Sequence, residues 1–159
     1  MDLYVVRHAI AEERRPGLLD ADRSLTEEGE LRFRRQARAL RRLDVRFTEL
    51  LHSPWRRAAQ TAALLAELSE RGPVAIDALA APPGPALLEA LRRDGRVALV
   101  GHAPWLSELV LWLVTGARED GPARIRIKKG AVAHLSGPPE PGAMRLEALY
   151  PPKTLRALG

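Results

Sequence analysis

The sequence contains no cysteine among its 159 residues. That absence excludes disulfide bonds, thiolate metal sites and every mechanism that uses a cysteine nucleophile. Apolar residues also never form a run that approaches the roughly 18 needed for a membrane-spanning helix. The N-terminal segment carries Asp2 and Tyr4 where a secretory signal would have a basic stretch and then a long apolar one. We therefore expect a soluble, cytoplasmic protein with no membrane partner.

Aromatic residues are scarce, at 4%, but 46% of the chain is hydrophobic, which is enough apolar surface for one core. The sequence has no internal repeat and no linker, so we expect residues 1–159 to form a single domain. The net charge is +5, and arginines are densest in residues 32–46. Phe33, Ala37 and Leu40 recur there at helical spacing, which makes the arginines the solvated face of an amphipathic helix. That face carries no aromatic residue to stack bases, so we expect no nucleic-acid partner.

Short apolar runs alternate with amphipathic segments along most of the chain. The predicted strands lie around residues 3–7, 50–52, 74–76, 97–100, 131–135 and 144–149. The predicted helices cover residues 27–43, with Thr26 as the N-terminal cap, 57–68, 85–92 and 104–116. This alternation predicts an α/β fold, a three-layer α/β/α sandwich with a mostly parallel, mixed-edge central sheet. The last two strands would form a hairpin-like ending.

Three of the predicted strands lead into basic or imidazole side chains. The first ends at Arg7 and His8, the second leads through a Ser-Pro turn to Arg57, and the buried strand at residues 97–100 is followed by His102. Ligands of open α/β sheets bind beyond the carboxyl ends of the strands, so we expect these four side chains to converge. Two guanidinium groups and two imidazoles would repel one another around an empty pocket. The ligand that they fit is an anion with several oxygens, namely phosphate.

His8 is the predicted nucleophile. A neutral imidazole nitrogen can attack phosphorus and form a phosphohistidine, which divides one difficult displacement into two easier steps. Arg7 and Arg57 would neutralise charge on the phosphoryl oxygens, and His102 would donate hydrogen bonds to them. Backbone N–H groups at the start of the helix that follows, with Ala103 among the phosphate-binding residues, would add further donors.

Four stretches of the sequence resemble, in order and spacing, the motifs of the histidine phosphatase (phosphoglycerate mutase-like) superfamily. They are RHAIA at residues 7–11, LTEEG at 25–29, SPWRRAAQTA at 53–62 and VGH at 100–102. The short chain, its Arg-His-Ala start and the absence of a long insertion are most similar to the bacterial SixA-type phosphohistidine phosphatases. The resemblance implies an α/β/α sandwich and a phosphorylated His8. It also implies a phosphate pocket of Arg7, Arg57 and His102, with Arg23 as a candidate at its rim.

The sequence departs from the family pattern at two places. Ala9 stands where most members have glycine, a change that the SixA-type group shares. Many members also carry a glutamate general acid in the region of residues 77–83, which here read DALAAPP, and Asp77 comes too early. Such an acid is typically worth about 10²–10⁴ in rate when the leaving group is strongly basic. Imidazole, with a conjugate-acid pKa of about 6.5, leaves without one, so the sequence favours phosphohistidine or aryl phosphate over sugar phosphate.

The predicted function is therefore dephosphorylation of phosphohistidine on a partner protein. Two alternatives remain open: a small-metabolite phosphomonoesterase with the same site, and a non-catalytic module that binds phosphorylated proteins. Nothing in the sequence decides the oligomeric state.

Several other features of the sequence are interpreted as structural. Asp20-Ala21-Asp22 imitates the motif of aspartyl-nucleophile phosphatases but lies in a loop, whereas that motif follows a hydrophobic strand. Lys128-Lys129-Gly130 is interpreted as a short basic turn. His52 and His134 are expected to be structural. The histidines show no metal-ligand spacing, so we expect neither a metal ion nor another cofactor.

Overall fold

The computed structural model describes residues 1–91, 94–118 and 124–159. Its strands are β1 (Asp2–Arg7), β2 (Glu49–His52), β3 (Val74–Ala75), β4 (Arg96–Gly101), β5 (Val132–Ser136) and β6 (Arg145–Tyr150). Its α-helices are α1 (Glu27–Arg42), α2 (Arg56–Ala63), α3 (Pro85–Ala90), α4 (Trp105–Thr115) and α5 (Pro152–Leu158). Each strand predicted from the sequence is therefore present.

The strands form one sheet in the order β3-β2-β4-β1-β5-β6. The pairs β2–β3, β2–β4 and β1–β4 are parallel, whereas β5 runs antiparallel to both β1 and β6. The predicted mostly parallel sheet with a mixed edge is confirmed. Because β2, β4 and β1 are parallel neighbours, their carboxyl ends meet at one edge, where a ligand of such a sheet is expected.

Side chains of successive strand residues point to opposite faces of the sheet, and both faces are covered by helices. Tyr4 and Val6 belong to a buried cluster with residues of α1, α2 and α5, such as Phe33. Leu3 and Val5 belong to a second cluster with residues of α3 and α4. The predicted three-layer α/β/α sandwich is confirmed.

The second helix is shorter than the sequence predicted. The prediction covered residues 57–68, but α2 ends at Ala63, and Ala66–Leu68 forms a separate 3₁₀ turn. Leu65 and Leu68 are both buried, as the apolar spacing required. Their N–H groups donate to carbonyls three residues back, each at 2.9 Å, and not four residues back as in an α-helix. The spacing of the apolar residues therefore predicted which side chains are buried but overestimated the length of the α-helix.

The other helices agree with the prediction except at their ends. Thr26 caps α1, since its hydroxyl accepts a hydrogen bond from the N–H of Gly29 at 3.0 Å. Gly116 ends α4 with a φ of 76°, a conformation that favours glycine. The end predicted for the third helix, Arg92, lies outside the described residues. Across the described part of the chain, no helix has the length and apolar character needed to cross a membrane.

Helix α5 was not predicted. It begins at Pro152, the second of two consecutive prolines, and Leu155 on its inner face is fully buried in the cluster that includes α1. The end of α5 is also bonded to α1, because Nη1 of Arg42 donates to the carbonyl of Leu158 at 2.5 Å. Proline is tolerated at the first helical position, so Pro152 can start a helix in a segment for which no element was predicted from the sequence.

Candidate active site

Backbone hydrogen bonds bring the ends of β1, β4 and β2 together. The N–H of His8 donates to the carbonyl of Gly101 at 3.0 Å, one residue beyond the last pair of the two strands. The N–H of Ser53 donates to the carbonyl of Val100 at 2.9 Å. As a result, His8 and His102 emerge side by side, with ring centroids 5.2 Å apart. The predicted convergence of the strand ends is therefore present.

The ring of His8 is held by hydrogen bonds at both nitrogens. Its Nδ1 lies 2.7 Å from the carbonyl oxygen of Ala9, and its Nε2 lies 3.2 Å from Nε of Arg57. A carbonyl can only accept, and a guanidinium can only donate. The ring proton is therefore on Nδ1, and the lone pair is on Nε2.

The imidazole of His8 is neutral at physiological pH. Burial lowers the pKa of His8 to about 3, and His102, Arg57 and Arg7 contribute to the same direction, against the hydrogen bond to Ala9. The side chain is 4% exposed, so little water is available to stabilise a charged ring. A buried, neutral ring with its lone pair on Nε2 has the protonation state of a nucleophile.

Arg57 is the most fully engaged cation of the site. It lies in the first turn of α2, is 3% exposed and uses all three of its nitrogens. Besides the bond from Nε to His8, Nη1 donates to the backbone carbonyl of Asp20 and Nη2 donates to the Asp20 carboxylate at 3.0 Å. The two terminal nitrogens are thus held by one residue while Nε faces the ring.

The carboxylate of Asp20 contacts three arginines. Its Oδ1 lies 3.0 Å from Nε of Arg14 and 2.9 Å from Nε of Arg23, and its Oδ2 binds Arg57. Partial burial raises the pKa of Asp20, but Arg14, Arg57 and Arg23 outweigh it and hold that pKa below its usual range. Asp20 is therefore a carboxylate that binds cations. Sequence reasoning rejected Asp20 as a nucleophile, but it did not predict these contacts with three arginines.

Arg7 and Arg23 both lie in the pocket and are anchored by backbone carbonyls. Nη1 of Arg7 donates to the carbonyl of Ile127 at 2.9 Å, and Nη1 of Arg23 donates to that of Glu12 at 2.6 Å. Lys129 also lines the pocket, and burial together with Arg7, Arg23 and Arg57 lowers its pKa. The interpretation of residues 128–130 as a basic turn was incomplete, because one of its lysines adds positive charge to the site.

His102 is held between a serine and an aromatic ring. Its Nε2 lies 2.8 Å from Oγ of Ser53, and its ring centroid is 4.5 Å from that of Trp55. Burial lowers the pKa of His102 to about 3, and Arg57 contributes to the same direction. The second imidazole is therefore also neutral. Its Nδ1 is buried and has no hydrogen-bond partner in the described part of the chain.

Thr61 connects the turn after β1 to α2. Its buried hydroxyl accepts from the N–H of Ala9 at 3.1 Å and donates to the carbonyl of Arg57 at 2.7 Å. Since the carbonyl of Ala9 fixes the His8 ring, this hydroxyl links the backbone that holds the nucleophile to the backbone that carries Arg57. Thr61 lies in the motif at residues 53–62, but its role depends on the hydrogen bond with Ala9, which is 52 positions away in the sequence.

These side chains line an open pocket with a volume of about 580 Å³. The pocket includes all of the predicted site residues: Arg7, His8, Arg23, Arg57, His102 and Ala103. The two remaining histidines, which were expected to be structural, are not among the residues that line it. The ring of His52 bonds to the carbonyl of Ser53 at 2.8 Å, and that of His134 bonds to Asp2 at 2.7 Å. The described residues contain no cluster of three or more histidine, aspartate or glutamate side chains that could hold a metal ion.

Comparison with solved structures shows that the fold is shared with several phosphatases. One is the protein histidine phosphatase SixA complexed with tungstate, with a TM-score of 0.80 and 24% identity, covering 98% of this chain and 99% of that one. Another is the phosphoserine phosphatase of Entamoeba histolytica in complex with 3-phosphoglyceric acid, with a TM-score of 0.71 and 14% identity, covering 97% and 98%.

Two sequence comparisons relate the chain to known proteins. It is 36% identical over 156 residues to an uncharacterized protein of Picosynechococcus sp. (strain ATCC 27264 / PCC 7002 / PR-6), covering 93% of this chain and 90% of the relative. Residues 3–80 match the family model of the histidine phosphatase superfamily (branch 1). Those residues include Arg7, His8, Arg23 and Arg57, whose geometry is described above. The chain belongs to the histidine phosphatase superfamily.

Proposed function

We propose that this phosphatase transfers a phosphoryl group to Nε2 of His8 and then hydrolyses the resulting phosphohistidine. The observation that carries the proposal is the fixed, neutral ring of His8, whose Nδ1 proton is held by Ala9 and whose Nε2 lone pair faces Arg57. The first step requires a nucleophile with an available lone pair, next to a cation that can take up phosphoryl charge.

Arg7, Arg57 and His102 are the proposed ligands of the phosphoryl oxygens, with Arg23 and the backbone of Ala103 at the rim. Nε of Arg7 and Nδ1 of His102 are buried and have no hydrogen-bond partner among the described residues, a costly state that a bound phosphoryl group would relieve. The hydroxyl of Ser53 accepts from the N–H of Trp55 at 3.3 Å, so its own proton is available to Nε2 of His102. That arrangement leaves a proton on Nδ1 of His102 to donate to phosphate.

The proposed reaction balances without a separate acid when the substrate is phosphohistidine with a protonated distal nitrogen. In the first step, a bond forms between Nε2 of His8 and phosphorus, the substrate's P–N bond breaks, and a neutral imidazole leaves. The hydrogen bond from Nε of Arg57 passes from Nε2 to a phosphoryl oxygen. Phosphoryl transfer between two imidazoles requires no proton transfer, because each ring keeps the proton on its distal nitrogen.

In the second step, water attacks phosphorus and the bond to His8 breaks. The products are inorganic phosphate, formed as H₂PO₄⁻, and the neutral His8 ring with its Nδ1 proton unchanged. Phosphoryl transfer depends mainly on positioning and on neutralisation of charge, which the arginines of the pocket supply. We therefore propose that no metal ion is required.

The proposed physiological substrate is phosphohistidine on a partner protein. Asp77, the carboxylate closest in sequence to the family's general acid, is exposed in a turn and is not among the residues that line the pocket. Three carboxylates line the pocket. Asp20 is held by arginines, Oε2 of Glu12 accepts from the N–H of Ser24 at 2.9 Å, and Glu13 is exposed to solvent, so none is buried as the proton donor for a strongly basic leaving group would be. These positions support a leaving group that departs without a proton donor.

A small phosphate ester is the second candidate substrate, favoured by the openness and size of the pocket, about 580 Å³. A substrate panel separates the two. We expect kcat/KM to be highest for a phosphohistidine peptide, lower for phenyl phosphate and lowest for glycerol or sugar phosphates. Equal values for phosphohistidine and sugar phosphates would overturn the proposed substrate class. Binding of phosphohistidine without turnover of any substrate would identify a binding module, and His8→Ala is the control that removes the proposed nucleophile.

A further inference from the structure

Two of the three tryptophans of the chain line the pocket. Trp55 precedes α2 and Trp105 begins α4, so they come from different elements, and both are partly exposed. Their ring centroids are 5.7 Å apart, with an interplanar angle of 63°. The third tryptophan, Trp112, is buried in the core. In a chain with 4% aromatic residues, this placement concentrates ring surface at one site.

The tryptophans make one side of the pocket apolar. Ala103 and Pro104 lie between His102 and Trp105 in sequence and also line the pocket, which gives an aromatic wall of Trp55, Ala103, Pro104 and Trp105. Most of the other lining side chains are charged. A substrate group that lies against the aromatic wall is therefore apolar or aromatic, whereas the remaining surface suits charged groups and water.

The aromatic wall lies directly beside the residues proposed to hold the phosphoryl group. The ring centroid of Trp55 is 4.5 Å from that of His102 and 4.8 Å from Cζ of Arg57. The Trp105 centroid is 6.2 Å from that of His102. A group attached directly to phosphorus would contact the wall, while a ring at the end of a longer spacer would pass beyond it.

We propose that the aromatic wall binds a planar ring bonded directly to the phosphoryl group, and so selects substrates with an aromatic leaving group. This inference rests on the proposed function, because the ring departs when phosphorus is transferred to His8. The P–N bond of a phosphoimidazole or the P–O bond of an aryl phosphate breaks, and the ring leaves along the wall as imidazole or phenolate. Aromatic rings attract one another in edge-to-face or offset arrangements, and Trp105 has partly exposed surface for such a contact.

The experiment compares substrates with and without a ring in the wild type and in Trp105→Leu. Phosphoimidazole is paired with phosphoramidate, and phenyl phosphate with acetyl phosphate. We expect Trp105→Leu to lower kcat/KM by about threefold to tenfold for each ring substrate and by less than about twofold for its partner. Trp105→Phe, which keeps a ring, should retain most of the preference.

An equal decrease in kcat/KM for all four substrates would overturn the inference. It would indicate that Trp105 instead positions His102. That result differs from failure of the proposed function, in which no substrate phosphorylates His8 in the wild type. A phosphohistidine protein and free phenyl phosphate present the ring as part of a protein and as a small molecule. Both should show the Trp105→Leu loss if the ring itself is recognised.

A measurement on the unmodified enzyme keeps the inference testable if Trp105→Leu does not fold. Phenylphosphonate and methylphosphonate carry a P–C bond that the reaction cannot break, so they report binding alone. We expect phenylphosphonate to inhibit with a Ki about threefold to tenfold lower than that of methylphosphonate. Equal inhibition constants would contradict an aromatic subsite.

Discussion

Nε of Arg57 donates a hydrogen bond to Nε2 of His8 across 3.2 Å. The same contact keeps a proton off the proposed attacking nitrogen and holds a cation, the proposed phosphate ligand Arg57, next to it. Because Asp20 binds both terminal nitrogens of Arg57, the direction of Nε is set by a residue 37 positions away in the chain. The proposed nucleophile is therefore oriented from two sides, by Ala9 and by the Asp20–Arg57 pair.

Asp20→Asn should slow turnover while strengthening phosphate binding. The substitution removes the negative charge that competes with phosphate for three arginines, so we expect the Ki for inorganic phosphate to fall roughly threefold. It also weakens the charged hydrogen bond that aims Arg57, so kcat should fall by about tenfold. Steady-state kinetics with phosphate as a competitive inhibitor measures both quantities.

Asp22→Asn is the matched control, because Asp22 lies in the same turn but is exposed and does not line the pocket. If Asp20→Asn lowers both kcat and the affinity for phosphate, Asp20 stabilises the structure of the pocket as a whole and does not specifically orient Arg57.

The free energy of unfolding should decrease as the pH falls from about 6.5 to about 3. Burial lowers the pKa of both His8 and His102 to about 3 in the folded protein, so the unfolded chain takes up protons in this window while the folded protein does not. The contribution of the two rings to the free energy of unfolding is therefore fully present above the unfolded pKa of about 6.5. It decreases below that pH, by up to about 1.4 kcal/mol per pH unit for each ring.

Urea unfolding at several pH values tests this linkage. His8→Asn and His102→Asn should each reduce the slope of stability against pH in that window. A slope unchanged by both substitutions would show that the two rings are not buried in the neutral form.

Thr61→Val should weaken the link between Ala9 and Arg57. Valine has nearly the same shape but leaves the buried N–H of Ala9 without a partner, which should cost about 1–3 kcal/mol of the free energy of unfolding. Thr115→Val on the exposed end of α4 is the matched control and should change stability by less than about 0.5 kcal/mol. Similar effects of the two substitutions would contradict the proposed link.

The sequence predicts the sheet and the residues of the proposed phosphate pocket for one physical reason. Apolar runs identify the strands, and parallel strands of an α/β sheet present their carboxyl ends at one edge, so Arg7, His8 and His102 can be placed together. Arg57 follows from the same reasoning, through the turn after β2. Helix and strand periodicity therefore predicts the site residues that lie at or directly after the ends of strands.

The roles of residues in loops could not be predicted in the same way. Asp20 lies in a loop without periodicity, and its function depends on arginines from elsewhere in the chain. Lys129 and the contact between Trp55 and Trp105 likewise depend on tertiary packing. A short pattern such as Asp-x-Asp does not reveal whether its carboxylates face a substrate or an arginine.

The most direct test of the account is to trap the phosphorylated enzyme. After millisecond mixing with radiolabelled phosphoramidate and quenching in base, the wild type should carry a base-stable, acid-labile label that maps to Nε2 of His8. His8→Asn should carry none. A label that is lost on quenching in base but survives a parallel quench in neutral detergent and maps to Asp20, or turnover that persists in His8→Asn, would contradict the central claim that His8 is the nucleophile.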